Sequence, residues 1–125
     1  MTQRLLLLFL AGGVGALARY GLAGWVQGRT GAGFPWGTLA VNAAGCLVFG
    51  LLWGLAMERA LLSPETRTVL LVGFLGAFTT FSTFAAETSN LLREAEYALA
   101  AGNLILSNVL CIGLFFAGLF VARWI

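Results

Sequence analysis

The sequence has 125 residues, of which 60% are apolar and only 10% are charged. A water-soluble domain of this length carries far more charge, so the composition indicates an integral membrane protein. The net charge of +2 is spread along the chain, and we expect no nucleic-acid partner. Histidine is absent, which removes the commonest metal ligand and the usual proton shuttle. With no nucleophile–base pair or metal cluster in the sequence, we do not expect an enzyme.

Four apolar segments are long enough to cross a membrane, at residues 5–26, 36–57, 69–90 and 98–122. A spanning helix needs about 20 mainly apolar residues. The connections between them are short, and the serine–proline pair in ERALLSPET is typical of a helix start. We therefore predict an all-α integral membrane protein with a single domain, residues 1–125, of four transmembrane helices.

Positive charges at the ends of the spans give only a weak orientation signal. An even number of spans puts both termini on one side, here called side A, and the opposite side is side B. Four arginines flank side A (Arg4, Arg59, Arg67 and Arg123), and two flank side B (Arg29 and Arg93). This bias is small for the positive-inside rule, so the chain is suited to insertion in both orientations.

Small residues at helical spacing suit close packing of membrane helices. The pairs Gly24/Gly28 and Gly50/Gly54 have this spacing. Four short helices bury little surface among themselves, so we expect a dimer in contact with lipid.

Arg19 and Glu87 are ionisable residues inside predicted spans, where such groups indicate function by default. Both lie at similar depth because their helices run in the same direction, so they are candidates for an ion pair. Arg19 alone is either a snorkelling residue that fixes helix depth or an electropositive group at the mouth of an anion pathway. We therefore predict that Arg19 and Glu87 either line the vestibule of an ion pathway or have a structural role.

Asn42 lies about two turns into the second span, in WGTLAVNAAG, and Thr38 adds a hydroxyl one turn away on the same face. An asparagine here either bridges two helices or offers its N–H donors to a passing anion. The functional alternative predicts that Thr38 and Asn42 both belong to an ion pathway.

The fourth span carries a polar stripe, because Asn103, Ser107 and Cys111 recur every four residues. Such a stripe faces protein or a pore rather than lipid, and it is either a packing seam or a pathway. Cys111 and the other cysteine, Cys46, are expected to be small packing residues rather than a disulfide.

The stretch GFLGAFTTFSTF, residues 73–84, places two glycines and four hydroxyls within a predicted span. This composition predicts that the third helix is broken near its middle, between Gly76 and Thr79. Non-helical backbone at membrane depth survives only where protein buries it or where it lines a cavity. In transporters, carbonyl groups freed by such a break coordinate small cations. Phe81 and Phe84 lie on one face next to the break, and their ring edges are partially positive.

Three segments resemble motifs of the CrcB/Fluc family of fluoride channels: GGVGALARYG, WGTLAVNAAG and GFLGAFTTFSTFAAET. The resemblance covers essentially the whole chain. It implies passive export of fluoride across a bacterial plasma membrane by an antiparallel, dual-topology homodimer with two pores. It also implies a central structural Na⁺ ion held by the backbone carbonyls of Gly76 and Thr79.

The same resemblance implies the residues of the ion pathway. Asn42 would be the pore amide, Phe81 and Phe84 the pore phenylalanines, and Ser82, Thr83 and Ser107 the hydroxyl track. Some family members carry an aromatic hydroxyl at the position of Asn103 and a serine at that of Cys111. The side A half of the track is therefore expected to differ here.

Two other classes remain open from the sequence. A small dual-topology, proton-coupled multidrug-type exporter also has four spans, but its chemistry needs a carboxylate in the first helix, which this chain lacks. A non-transporting structural subunit would explain the glycines but not a polar stripe aligned with a broken helix.

Overall fold

The computed structural model describes residues 2–125, and its secondary structure is entirely helical. Its helices are α1 (Thr2–Thr30), α2 (Trp36–Met57), α3 (residues 64–78), α4 (Phe81–Arg93) and α5 (Tyr97–Ala122). Helices α3 and α4 together form the third span, Pro64–Arg93. Within residues 2–125, four spans are long and apolar enough to cross a membrane, which confirms the predicted number and order.

The third span begins at the predicted serine–proline pair. The Ser63 hydroxyl accepts a hydrogen bond from the Thr66 amide at 3.1 Å, and Pro64 is the first helical residue. A serine cap satisfies an amide that has no partner within the helix, and proline at this position lacks the amide that would go unpaired. The helix therefore starts five residues before the predicted span.

Helix α3 is not a regular α-helix. This irregularity was not predicted from the sequence. After one α-helical turn, Thr68–Leu75 is π-helical, and the Gly76 amide donates to the Leu71 carbonyl five residues earlier. A short α-helical turn, Gly76–Phe78, follows. π-Helical segments are rare and occur frequently at functional sites. This one lies immediately before the break.

The third span is broken near its middle, as predicted, but the break lies at Thr79 and Thr80. Thr79 has φ −82° and ψ 157°, and Thr80 has φ −150° and ψ 109°, so both are extended. Gly76, which the prediction placed at the start of the break, has α-helical angles of −62° and −33°. The extended backbone therefore begins at Thr79, three residues after Gly76.

The buried apolar core lies between α2 and α3. It consists of Val41, Leu71, Leu75 and Phe78, with side chains of α1 packed against it. Leu75 and Val41 are almost completely inaccessible, at 1% and 0% exposure. Apolar contacts thus hold the part of the third span that directly precedes the break.

Helices α2 and α5 run parallel in one constant register. Glu58 at the end of α2 forms an ion pair with Arg123 at the end of α5, at 2.9 Å between Oε2 and Nε, and the two residues are 65 positions apart. Gly50 contacts Phe115 with the same offset. The hydrogen bond and charge of Arg123 hold the pKa of Glu58 below its usual value.

The close approach of these two helices depends on Gly50, since a Cβ atom there would overlap the backbone carbonyl of Phe115. At Gly54, a Cβ atom would lie 2.5 Å from that of Ala122. The predicted packing role of Gly50/Gly54 is therefore confirmed. A Cβ atom at Gly24 or Gly28 would meet no atom of another part of residues 2–125 within 4 Å, so their predicted role in close packing is not met within one chain.

Replacing Gly50 with alanine should destabilise the fold by about 1–3 kcal/mol, the usual effect of overpacking. Gly113, on the same pair of helices, is a matched control because a Cβ atom there meets nothing within 4 Å. Both changes raise helix propensity equally, so their difference isolates the clash. The unfolding free energies of the two variants in detergent would be compared. Equal values would contradict the role of Gly50.

Candidate ion pathway at the helix break

Asn42 of α2 holds the broken backbone by two hydrogen bonds. Its Nδ2 donates to the Thr80 carbonyl at 2.9 Å, and its Oδ1 accepts from the Thr80 amide at 2.7 Å. Thr80 is 7% exposed, so these polar groups would otherwise be buried without partners. Asn42 thus bridges two elements, the structural alternative of the sequence analysis. An amide has a second N–H, which remains available for a ligand.

Thr80 also starts the second half of the span. Its hydroxyl accepts from the Thr83 amide at 3.2 Å and donates to the Thr83 hydroxyl at 2.9 Å. The Ser82 hydroxyl lies 3.3 Å from it. Threonine is a good N-cap because its oxygen replaces the missing carbonyl of the preceding turn. Three of the four hydroxyls of the motif therefore lie together at this cap. The fourth, that of Thr79, instead donates to the Leu75 carbonyl at 3.0 Å.

The same bonds free two carbonyl groups. A continuous helix would pair the Gly76 carbonyl with the Thr80 amide, and the Thr79 carbonyl with the Thr83 amide. Here the Thr80 amide donates to Asn42 and the Thr83 amide to the Thr80 hydroxyl. Gly76 and Thr79, the predicted ligands of Na⁺, thus present carbonyl oxygens without their helical donors. Oxygen donors of this kind suit a hard cation.

Within residues 2–125, no group of three or more histidine, cysteine, aspartate or glutamate side chains lies close enough together to hold a metal ion.

A cavity of about 260 Å³ lies between α2, the break, α4 and α5. Its lining includes seven residues named in the sequence analysis: Asn42, Cys46, Thr79, Phe81, Phe84, Ser107 and Cys111. Of the described residues that line it, none carries a charge. The cavity therefore has apolar walls with a few neutral hydrogen-bonding groups.

The two phenylalanines differ in burial. Their ring centroids are 5.3 Å apart and their planes are inclined by 50°. Phe84 is 6% exposed, whereas Phe81 is 76% exposed. Phe84 thus forms part of the wall, and Phe81 lies at the open edge of the cavity.

The sequence analysis missed Asn108, which lines this cavity next to Ser107. One N–H of its amide donates to the Leu104 carbonyl at 2.7 Å, and the second is available. Its position beside the polar stripe of the fourth span is the signal that would have identified it.

A second cavity of about 320 Å³ shares Thr80 with the first and is lined by Arg19, Thr38 and Thr83. Thr38 donates its hydroxyl to Glu87 Oε1 at 2.7 Å. Thr38 and Thr83 therefore lie beyond the first cavity. Ser82 is exposed and lines neither of these two cavities.

Arg19 and Glu87 do not form the ion pair considered from their depths. Among residues 2–125, the ion pair present is Glu58–Arg123. Arg19 and Glu87 line different cavities, and Glu87 is bound by Thr38, with its Oε2 buried and unpartnered. Equal depth in the membrane did not predict a contact, because the two side chains lie on helix faces that do not face each other.

The polar stripe of the fourth span forms a hydrogen-bonded seam with α4. Asn103 donates to the Thr88 hydroxyl at 2.9 Å, and Ser107 donates to Asn103 Oδ1 at 3.1 Å. Asn103 is 1% exposed and is a packing residue. Ser107 reaches both the seam and the cavity, and Thr88 was not singled out from the sequence.

Replacing Asn42 with alanine should lower the unfolding free energy by about 1–3 kcal/mol, because both backbone groups of Thr80 lose their partner. The control is Asn108→Ala, since that exposed amide bonds only within its own helix turn. Denaturant unfolding in detergent would measure both. If the Asn108 variant lost as much stability, the bridge would not be the cause.

The chain is similar to known proteins over almost its whole length. Residues 6–119 match the family described as CrcB-like protein, Camphor Resistance (CrcB). The chain is 50% identical over 123 residues to a protein of Nitrosococcus oceani, covering 98% of each chain. It is 48% identical over 125 residues to one of Solidesulfovibrio magneticus, covering both chains completely. A protein of Geobacter sulfurreducens is 48% identical over 112 residues, or 90% of each chain.

All three relatives are named fluoride-specific ion channel FluC. The family is one of ion channels, which confirms the prediction that the chain is not an enzyme. The family match spans all four helices, and the identities hold over almost the full length. The chain therefore belongs to the CrcB family of multi-pass bacterial membrane proteins.

Proposed function

We propose that this protein is a passive, fluoride-selective channel that exports fluoride from the cytoplasm. The observation that carries the proposal is the near-complete, 50% identical match to a protein named for this activity. The cavity at the break supports it independently, because its polar groups are neutral and its walls are apolar.

The chemistry of the cavity suits a small, strongly hydrated anion. Asn42 and Asn108 each retain an N–H donor, and the ring edges of Phe81 and Phe84 are weakly positive. A fixed cation among them would hold fluoride too strongly, since conduction needs weak and multiple sites. Neutral donors replace water without trapping the ion.

We assign the second cavity to the part of the path near side B. Arg19 there is the electropositive group at the mouth, and Thr38 and Thr83 supply hydroxyls. Ser107 belongs to the first cavity, and Ser82 at the start of α4 continues the track. Glu87 has a structural role, as the acceptor of the Thr38 hydroxyl.

We further propose an antiparallel, dual-topology homodimer with two pores. The weak charge bias of the loops permits both orientations. Phe81 at the open edge of the cavity is 76% exposed, so one chain leaves this wall incomplete. A second copy would supply the missing side.

Sodium is proposed as a structural ion at the dimer centre, held by the Gly76 and Thr79 carbonyls. When bound, it would supply positive charge that offsets the repulsion between these freed oxygens. Asn42 and the cap at Thr80 keep the two amides away from them, whether or not an ion is present.

The multidrug-type exporter has no support in the structure. Helix α1, Thr2–Thr30, contains no aspartate or glutamate, so it lacks the carboxylate that proton coupling requires there. Glu87 is the one acid within the predicted spans.

Liposomes containing the pure protein should release fluoride rapidly and chloride far more slowly. The variant Phe81→Ile should reduce the fluoride rate roughly fivefold, because losing about 1 kcal/mol of ring-edge stabilisation raises the barrier by that amount. Ion-selective electrodes would record both ions.

The control for this change is Phe116→Ile, since Phe116 is 60% exposed on α5 and lines neither of the two cavities. Its rate should equal that of the parent protein. Equal release of fluoride and chloride by the parent would refute the proposed selectivity.

Replacing sodium by N-methylglucamine should abolish fluoride release and weaken the dimer, and restoring sodium should reverse both effects. The variant Thr79→Ala should keep this dependence, because it removes a hydroxyl that bonds to Leu75 and retains the backbone carbonyl. Fluoride release and cross-linking of dimers would be measured in parallel. Full activity and an intact dimer without sodium would exclude this site.

A further inference from the structure

The two cysteines lie in the wall of one cavity. Cys46 of α2 and Cys111 of α5 both line the 260 Å³ space, and both are free and partly accessible. The sequence analysis treated them as separate packing residues. They are instead neighbours across the interface between α2 and α5, in the wall of the same cavity.

The register of the parallel helices explains this juxtaposition. Glu58–Arg123 and Gly50–Phe115 are contacts between residues 65 positions apart. Cys46 and Cys111 have the same offset and lie one helical turn from Gly50 and Phe115. Because a Cβ atom at Gly50 would overlap the Phe115 backbone, the helices are at close approach one turn away. The two thiols are therefore held face to face by the fold.

Two opposed thiols in an apolar wall have a defined metal preference. Thiolates are soft ligands and select soft cations. Zinc usually takes four ligands in a structural site, whereas the described cavity lining offers two sulfurs and no histidine or carboxylate. A cation that is stable with two sulfur ligands fits this pair of thiols better than zinc does.

Charge selects further among the soft cations. A divalent ion that displaces the proton of each thiol forms two metal–sulfur bonds and releases two protons to solvent. The product is neutral, and neutrality matters because net charge within the membrane is costly. A monovalent soft ion would leave one negative charge on the complex.

We propose that Cys46 and Cys111 form a two-coordinate site for a soft divalent metal ion of the Hg²⁺ class. The site lies on one chain, between α2 and α5. It does not rest on the proposed transport function, since binding is measured without transport.

The test uses the full-length, reduced protein in detergent with Hg²⁺ as the probe. After loading, the protein is washed with increasing concentrations of a small monothiol. Bound mercury is read by native mass spectrometry and by sulfur-to-mercury absorption in the ultraviolet. Chelation should make the parent protein retain about one Hg²⁺ at monothiol concentrations about 100-fold higher than those that strip Cys46→Ser or Cys111→Ser.

The matched control keeps two thiols and changes only their placement. The double variant Cys111→Ser, Val109→Cys moves one thiol by about 200° around α5, to a side chain that is 67% exposed. It should lose mercury as readily as the single variants. Unchanged elution on size exclusion confirms that each variant is folded.

Two results would overturn the site. One is loss of mercury from the parent protein at the same monothiol concentration as from Cys46→Ser. The other is equal retention by the Val109→Cys control, which would show that any two thiols suffice.

Discussion

The structure depends on how a break in a membrane helix satisfies its backbone. Hydrocarbon offers no hydrogen bonds, so an extended segment at this depth needs donors and acceptors from protein. Asn42 provides one of each to Thr80, at 2.9 and 2.7 Å. Because the side chain of a neighbouring helix takes the place of water, the third span can change direction while both backbone groups of Thr80 stay paired. The freed carbonyls and the cavity both follow from this exchange.

Two pairs of packed helices meet at that point. Helices α2 and α5 pack closely in parallel at Gly50, and the exposed Glu58–Arg123 pair joins their ends, while α1 packs against α3. Asn42 belongs to the first pair, and the break follows the last residue of the second. The cavity occupies the gap that the turning chain leaves between them. Its shape is thus set by helix packing, and its polarity by a few side chains.

The sequence predicted what depends on composition and on position along a helix axis. Apolar runs defined the four spans, and the run of hydroxyls located the break to within a few residues. Depth alone could not place Arg19 and Glu87, because it says nothing about which way each helix face points. The π-helical segment was also missed, since its residues, TVLLVGFL, have the composition of an ordinary apolar helix.

Family resemblance added information that the residues alone did not contain. The residues themselves indicate a broken helix with free carbonyls, whereas fluoride is indicated only by the resemblance and by the names of the relatives. Thr88 was overlooked because it contributes through Asn103, a neighbour in space, and Asn108 because it lies beside the four-residue repeat of the stripe and not in it.

The π-helical turns of Thr68–Leu75 have a consequence for how the chain tolerates change in length. Each hydrogen-bonded π-turn encloses one residue more than an α-turn, so this segment can give up a residue by becoming α-helical. A single deletion there should therefore leave the rotation of the chain beyond it, and the approach of Thr80 to Asn42, nearly unchanged. In a regular α-helix the same deletion would rotate everything beyond it by about 100°. The apolar residues before the break thus form the part of the third span in which a change of length disturbs the site least.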